Sequence, residues 1–396
     1  MSFITDPVAF LANWLQGLLA GWGLSAEWLN FLMLLIGAVV LALLALFWTI
    51  FLIWVERKGI GRFQERPGPN RVGPFGLFQP FADMLKIFTK ELITPKGVDW
   101  VPYNLAPVLI VASTIMIWAV LPFNSTTSGT NISIGILFVV AIGSLGEMGV
   151  IFGGWGSNNK YALLGSFRVL AQLISYEVPM VLVLLIPVML SGSMALNEVV
   201  NSQHIWNIVL APVAGLIYFI CLMAENSRAP FDLAEADSEI VAGVNIEYSG
   251  LKFGFFYVGD FLHAFTMALL FATVFLGGWR GPYAEQYPIL GFVYYFLKTW
   301  VVYFVNLWMR FSLPRFRIDQ MMAFNWKILT PMALVILMTT ALLDKLLPAG
   351  QPILRVGGFL VLNVILLVGI SLLLSKLLSR RPRPVVAPTP RPVARR

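Results

Sequence analysis

The chain holds one cysteine, Cys221, and two histidines, His204 and His263, in 396 residues. A single thiol excludes an internal disulfide framework and a cysteine-ligated iron–sulfur cluster. The two imidazoles lie far apart with no ligand-like spacing, so no metal site is expected. Charge is scarce too: 12% of residues are charged, about half the share of an ordinary soluble domain. No basic region followed by a cleavable apolar stretch is read at the N-terminus. With no redox ligands and no Gly-rich nucleotide loop on a strand, the chain needs partners for any redox chemistry.

Apolar residues dominate instead, at 58%. A chain this apolar cannot hide its hydrophobic surface inside a globule, so it belongs in lipid. The net charge of +7 fits nucleic acid or an anionic membrane face, and its distribution decides for the membrane, not nucleic acid. A membrane helix needs about 20 mostly apolar residues. Nine stretches qualify: 31–54, 104–122, 132–154, 164–190, 207–225, 254–278, 289–309, 328–347 and 356–378. The expected fold is an all-α integral membrane protein with about nine transmembrane helices. Residues 1–30 form an outer interfacial segment, 31–378 the polytopic domain and 379–396 a Pro/Arg-rich tail. Residues 74–92 set Phe75, Phe78, Phe81, Leu85 and Phe88 against Asp83, Lys86, Lys90 and Glu91, the pattern of an amphipathic surface helix after the first span. No fixed-period repeat is found.

Lysine and arginine set the expected orientation. Loops 56–103 and 226–253, the other loops on that side and the tail carry 22 basic residues, against Arg280, Lys345 and Arg355 on the opposite side. Positive residues stay cytoplasmic. The N-terminus is therefore expected outside and the C-terminus inside, with the tail disordered and touching anionic lipid.

Charges inside the spans cost at least about 2.5–3.5 kcal/mol each at mid-membrane. Glu147, Arg168, Glu177, Asp260 and Lys298 therefore need a reason. Either the carboxylates relay protons, or each pairs with a basic neighbour to fix helix packing. Arg168, Gln172 and Ser175 share one helix face, and Glu177 points roughly opposite. A second concentration follows the fifth span: Glu225, Asp232, Glu235, Asp237, Glu239, Glu247 and Asp260 are seven of the chain's 20 acids. Like charges this close raise each other's proton affinity. Interleaved Pro230, Phe231, Leu233, Ile240, Val241 and Val244 favour burial over a solvated loop. A third region, Glu56-Arg57-Lys58 through Arg62, Arg66 and Arg71 to Pro74, has prolines and glycines that forbid a continuous helix. It reads as a grip for a polar ligand head group, a dock for an acidic protein, or simple positive-inside anchoring.

These regions together resemble a known family. The strings ERKGIGRFQERPGPNRVGPFGLFQPFADMLKIFTKE (56–91), GWGSNNKYALLGSFRVLAQLISYEVP (154–179), AENSRAPFDLAEADSEIVAGVNIEYSGLKFGFFYVGDF (224–261), FLGGW (275–279) and RFSLPRFRIDQMM (310–322) are similar to the H subunits of bacterial type I NADH–quinone oxidoreductase, respiratory complex I. The mitochondrial ND1 counterpart is similar too. The resemblance covers about Trp54 to Pro331. It implies a bacterial plasma-membrane subunit that forms the quinone entrance and chamber and couples quinone reduction to proton translocation. It implies ubiquinone or menaquinone as substrate. FMN and iron–sulfur clusters would sit in partners: peripheral subunits, one with the terminal cluster and one sharing the quinone site. Small membrane subunits, antiporter-like pumping subunits and lipid complete the expected surroundings.

By motif, Arg57, Arg66 and Asp83 would contact quinone. Glu147, Glu177, Asp232, Glu235, Asp237, Glu239, Glu247 and Asp260 would carry proton coupling, with Arg62, Arg168, Arg228, Arg315 and Arg317 in support. The sequence departs from the pattern at Asp237 and Asp260, where glutamate is usual, and at Ile318, where tyrosine is frequent. Its ninth span and tail exceed the eight-span form. Two other readings stay open: a homologous subunit of an energy-converting hydrogenase or other donor:quinone oxidoreductase, and a self-contained ion transporter, although the inverted repeats of the latter are missing.

Overall fold

The computed structural model describes residues 6–21, 25–233, 240–347 and 352–379. Glu235, Asp237, Glu239 and residues 380–396 of the tail lie outside them. The described elements are helices: α1 Pro7–Ala20, α2 Ala26–Phe63, α3 Gln79–Thr89, α4 Trp100–Trp118, α5 Gly135–Gly156, α6 Lys160–Ser191, α7 Leu196–Ser202 and α8 Asn207–Leu210. They continue with α9 Pro212–Glu225, α10 Gly250–Phe275, α11 Pro288–Ser312, α12 Ile318–Phe324, α13 Thr330–Leu346 and α14 Pro352–Ser379. A π-helical turn, Asn325–Leu329, joins α12 to α13.

Among the described residues, seven helices are long and apolar enough to cross a membrane: α2, α4, α5, α6, α10, α11 and the continuous run Ile318–Leu346. The remaining two expected spans are helical but built otherwise. Stretch 207–225 breaks at Ala211, which adopts φ −134° and ψ 64° ahead of Pro212. A proline disfavours helical geometry in the residue before it and starts a new helix well. The last stretch lies inside the 28-residue α14, whose apolar run among the fully described residues is Leu354–Gly369. Between α2 and α4, the 11-residue α3 has no apolar run and keeps Phe81, Leu85 and Phe88 exposed, as an amphipathic surface helix should.

The first span runs further than its apolar content implied. α2 has 38 residues, about 57 Å at 1.5 Å per residue, so it continues roughly two turns past the lipid-sized run. Glu56, Arg57, Lys58 and Arg62 are thus helical, and the helix ends only before Pro67. The segment 56–74 is not one continuous helix, as its prolines and glycines require, but its first part, to Phe63, belongs to α2 rather than to the loop.

Helix α10 is the axis of the bundle. Its most apolar window is 78% buried, against 6% for α2 on the periphery. It packs on α4 and α11, while α5 lies along α4 and α6 along α9. Trp48 joins α2 to this axis through Phe265, Phe296 and Trp300, with ring centroids 5.3–6.1 Å apart. The Trp118 indole donates to Thr266 Oγ1 at 2.6 Å. α6 ends at Gly192, whose φ of 71° suits a residue without Cβ.

Loops gather at two ends. At one, Asp99 N donates to Gly156 O (2.9 Å), Ile93 N to Ser249 Oγ (2.9 Å) and Phe316 N to Pro230 O (3.0 Å). At the other, Ile136 N donates to Met194 O (3.0 Å) and Gln203 Nε2 to Thr273 O (3.0 Å). The basic residues of the long loops fall at the first end.

Candidate functional site

A cavity of about 190 Å³ opens near the basic end, between α4, α5, α6, α10 and the segment after α9. Its wall combines apolar Ile110, Val150 and Phe256 with charged Glu147, Glu225, Arg228, Asp232, Asp260 and Arg310, and with His263. A cavity of this size holds roughly ten waters or a small polar group. Asn226 supports water there: it is buried, and neither its Oδ1 nor its Nδ2 has a partner. Buried amide atoms are rarely left unsatisfied.

Glu225 is the last residue of α9, so the apolar helix carries its carboxylate to the cavity wall. Its side chain is largely buried in the cavity wall, with Oε1 3.9 Å from His263 Nε2. Glu147 of α5 interacts electrostatically with both Glu225 and Glu177. Glu177 of α6 also feels Glu225 and accepts a hydrogen bond from Ser144 Oγ at 3.0 Å. Three carboxylates from α5, α6 and α9 thus form one group. Tyr218, one face up α9, has a buried hydroxyl without a partner and interacts with Glu225.

Local chemistry explains why α6 holds Glu177 there. Pro179 has no N–H to give the carbonyl of Ser175, four residues earlier. Asn325 Nδ2, in the π turn, bonds that carbonyl instead. The Tyr176 hydroxyl donates to Met321 O at 3.2 Å. Gln172 Nε2 reaches the other way, to Ala224 O (2.5 Å) and Phe231 O (2.9 Å), tying both ends of the segment after Glu225 to α6.

Below the cavity sits a buried ion triad. Arg228 Nη1 is 2.6 Å from Glu56 Oε2, and Arg310 pairs with the other oxygen of Glu56. The Arg228 guanidinium also lies 4.3 Å over the Phe261 ring. Since Arg228 and Arg310 line the cavity, Glu56 connects it to the end of α2.

Arg57, the next residue, pairs with Asp83 of α3, and Lys86 Nζ lies 3.5 Å from the same carboxylate. Lys58 Nζ donates to Pro67 O (3.1 Å), and Arg66 Nε to Gln64 Oε1 (2.8 Å). Phe63, Phe75, Phe78 and Phe81 are exposed around them. The α2–α3 corner therefore offers charged groups beside an apolar rim, while the structure brings neither Arg57, Arg66 nor Asp83 into the cavity wall.

The other expected site residues divide. Asp232 and Asp260 reach the cavity. Glu247 does not line it: Asn159 Nδ2 donates to its Oε1 at 2.7 Å, and the Tyr103 hydroxyl to its backbone O at 2.8 Å. Beside it Tyr248 stacks on Tyr103 at 4.3 Å, and burial pushes the Tyr248 phenol well up from its ordinary value, with Tyr103 adding to it. Arg62 is exposed on α2, Arg168 half-buried on α6 and Arg315 half-buried after α11. Arg317 Nη2 lies 3.6 Å from Asp319. Lys298 belongs elsewhere. Its ammonium donates to Gly278 O (2.9 Å) and Arg280 O (2.7 Å) and sits 5.2 Å over Trp206, about 18 Å along α11 from Arg310. It fastens a loop at the opposite end.

Sequence reasoning left out Glu56, Glu225, His263 and Arg310 as site residues. The available signal was common to three of them. Glu56, Glu225 and Arg310 are charged residues in the last turns of apolar helices, where the side chain still faces packed neighbours.

A family described as NADH dehydrogenase matches residues 36–341. The chain is 42% identical over 348 residues to the H subunit of the NADH-quinone oxidoreductase of Dehalococcoides mccartyi, covering 88% of this chain and 94% of the relative. It is 46% identical over 300 residues to an H subunit of the same enzyme from Geobacter metallireducens (73% and 90%). To the H subunit from Bacillus cytotoxicus it is 44% identical over 324 residues (81% and 97%).

Proposed function

The chain belongs to the family of NADH-quinone oxidoreductase H subunits, membrane subunits of complex I, and from that premise we propose that its arginine-clamped cavity turns quinone reduction into proton movement. The observation that carries this reading is the convergence of Glu147 and Glu225, from two helices, in the wall of a cavity held by Arg228 and Arg310, with Glu177 of a third helix interacting with both. Carboxylates that feel one another hold fewer negative charges together than apart. A charge change at one edge of such a group therefore redistributes protons across it.

Quinone is the substrate. Its head group meets the Arg57–Asp83 corner and its isoprenoid tail the exposed phenylalanines of α3, with Arg66 at the rim. Reduction adds negative charge that calls for protons. Asp83 releases or shares its arginine in response, and the disturbance passes through Glu56 to Arg228 and Arg310. Those two guanidiniums set the field on Glu225, Asp232 and Asp260. Low local dielectric makes this coupling strong over a few ångströms. Glu177 and Glu147 take the proton shift towards neighbouring membrane subunits. Electrons come from partners in the peripheral arm, one carrying an iron–sulfur cluster and FMN lying further back. The assembly is oriented in a bacterial plasma membrane with the basic loop end cytoplasmic. The relatives quoted are all quinone oxidoreductase subunits, so the hydrogenase reading has no support.

Glu177→Gln and Glu225→Gln test this in the assembled complex. Each removes a titrating group while keeping shape. Coupled NADH:quinone activity should fall by on the order of 10²-fold, while NADH oxidation by a water-soluble acceptor, which reads assembly, stays at the parental rate. Parental quinone reduction and proton uptake in both assembled variants would refute the proposal.

A further inference from the structure

We infer that His263 is a proton carrier of the coupling group, passing protons between Glu225 and the water of the cavity; this rests on the coupling role proposed above. Three observations converge. His263 is a polar residue in α10 between Leu262 and Ala264, both buried, in a helix that from there to Phe275 is buried core in which the other polar residues, Thr266 and Thr273, bond back to the helix's own carbonyls. It lines the cavity. Its Nε2 faces Glu225 Oε1 at 3.9 Å.

A packing histidine would be tied to a backbone carbonyl or shut in among apolar side chains. This one instead stands between a carboxylate and a space with polar walls. The 3.9 Å separation is too long for a direct hydrogen bond and suits one bridging water. The unpartnered Oδ1 and Nδ2 of Asn226, next in sequence to Glu225, give that water somewhere to bind.

The groups facing the imidazole are mixed in sign. Glu225 faces it from the end of α9 and Arg228 acts on it from the segment after, while Glu147 from α5, Asp232 from the loop, Arg310 from α11 and Asp260 from its own helix line the same cavity. Glu177 of α6 interacts in turn with Glu225. An imidazole is the one side chain that accepts at one nitrogen while donating from the other near neutral pH. The transfer balances simply. A proton leaves the Glu225 carboxyl through the bridging water to Nε2, and a second leaves Nδ1 to cavity water and onward to the Glu147 carboxylate. Glu225 ends as carboxylate, Glu147 as acid, and the ring returns neutral in its other tautomer.

The test uses the assembled complex in sealed membrane vesicles. NADH:quinone reduction and proton uptake are followed against pH for the parent, His263→Gln, His263→Asn and His263→Ala. Glutamine keeps a hydrogen-bonding side chain of similar size but cannot carry a proton. The expected result is a fall of on the order of 10²-fold for Gln and Asn, loss of the parental pH dependence, and partial recovery of His263→Ala by added imidazole. Four results overturn it: parental rate and pH profile in His263→Gln, equal loss with an unchanged pH profile, no response of His263→Ala to imidazole, or failure of every variant to assemble. Glu225→Gln run alongside separates the two claims. An inactive Glu225→Gln beside a normal His263→Gln sinks the histidine alone; if both are normal, the coupling reading falls with it.

Discussion

Glu56 shows how a single residue ties the first span to the site. It lies buried between two arginines, Arg228 and Arg310, so the triad carries one excess positive charge. The consequences of deletion are therefore unequal. Removing either arginine leaves a balanced pair. Removing the carboxylate leaves two buried guanidiniums facing each other, and an uncompensated buried charge costs about 3–5 kcal/mol. Glu56→Gln should lower the unfolding midpoint of the purified complex's membrane domain markedly more than Arg228→Gln or Arg310→Gln. Equal midpoints for the three variants, or a reversed order, would show that the triad is not the clamp. The residue scale is also where the sequence was hardest to read. Glu147 and Glu177 stood out because each interrupts an apolar run, whereas Glu225 looked like one more acid of a loop. Only the packing of α5, α6 and α9 reveals that it shares their charge group. Glu247 ran the other way: its position among acids suggested the cavity, yet Asn159 holds it aside.

At the scale of elements, α6 and the π turn make one device. Pro179 leaves the Ser175 carbonyl without its helical donor, two residues before Glu177, and Asn325 supplies the missing bond. A buried acceptor stripped of its partner costs about 1–3 kcal/mol. Asn325→Leu should cost that much in stability. In a Pro179→Ala background, where residue 179 donates to Ser175 itself, the same change should cost clearly less. The double-mutant cycle measures this difference, and strict additivity would break the link. The elements also show what periodicity and length give and what they withhold. Long apolar runs gave the seven helices that are long and apolar enough to cross a membrane, because hydrophobic length alone marks them. The break at Ala211 was signalled by Pro212, but an apolar run of sufficient length masked it. The extension of α2 to Phe63 escaped because helix propensity, not hydropathy, governs a charged stretch free of proline, and Pro67 is the first residue able to stop it. The π turn had no signal at all, since Asn325 looks like any polar residue flanking a span until its tertiary partner is known.

At the scale of the whole molecule, function requires that the cavity open towards the side from which electrons arrive, and that side is fixed by charge. Among the described residues, the loops at the end that holds Arg57, Arg228 and Arg310 carry 15 basic residues, against Arg280, Lys345 and Arg355 at the other. Moving lysine and arginine across a bilayer is costly, so the basic end is expected on the cytoplasmic side. The chain offers a clean test, because its only cysteine, Cys221, is buried and gives little background to thiol reagents. Ser125 and Gln286 are exposed at the sparsely charged end, and Lys96 is exposed at the basic end. In intact cells, a membrane-impermeant maleimide should label Ser125→Cys and Gln286→Cys and leave Lys96→Cys untouched. Labelling of Lys96→Cys without the other two would turn the molecule over. The carboxylate group would then face away from the compartment where NADH is oxidised, and a path from quinone through Glu56 to Glu225 would have no source of electrons at its entrance.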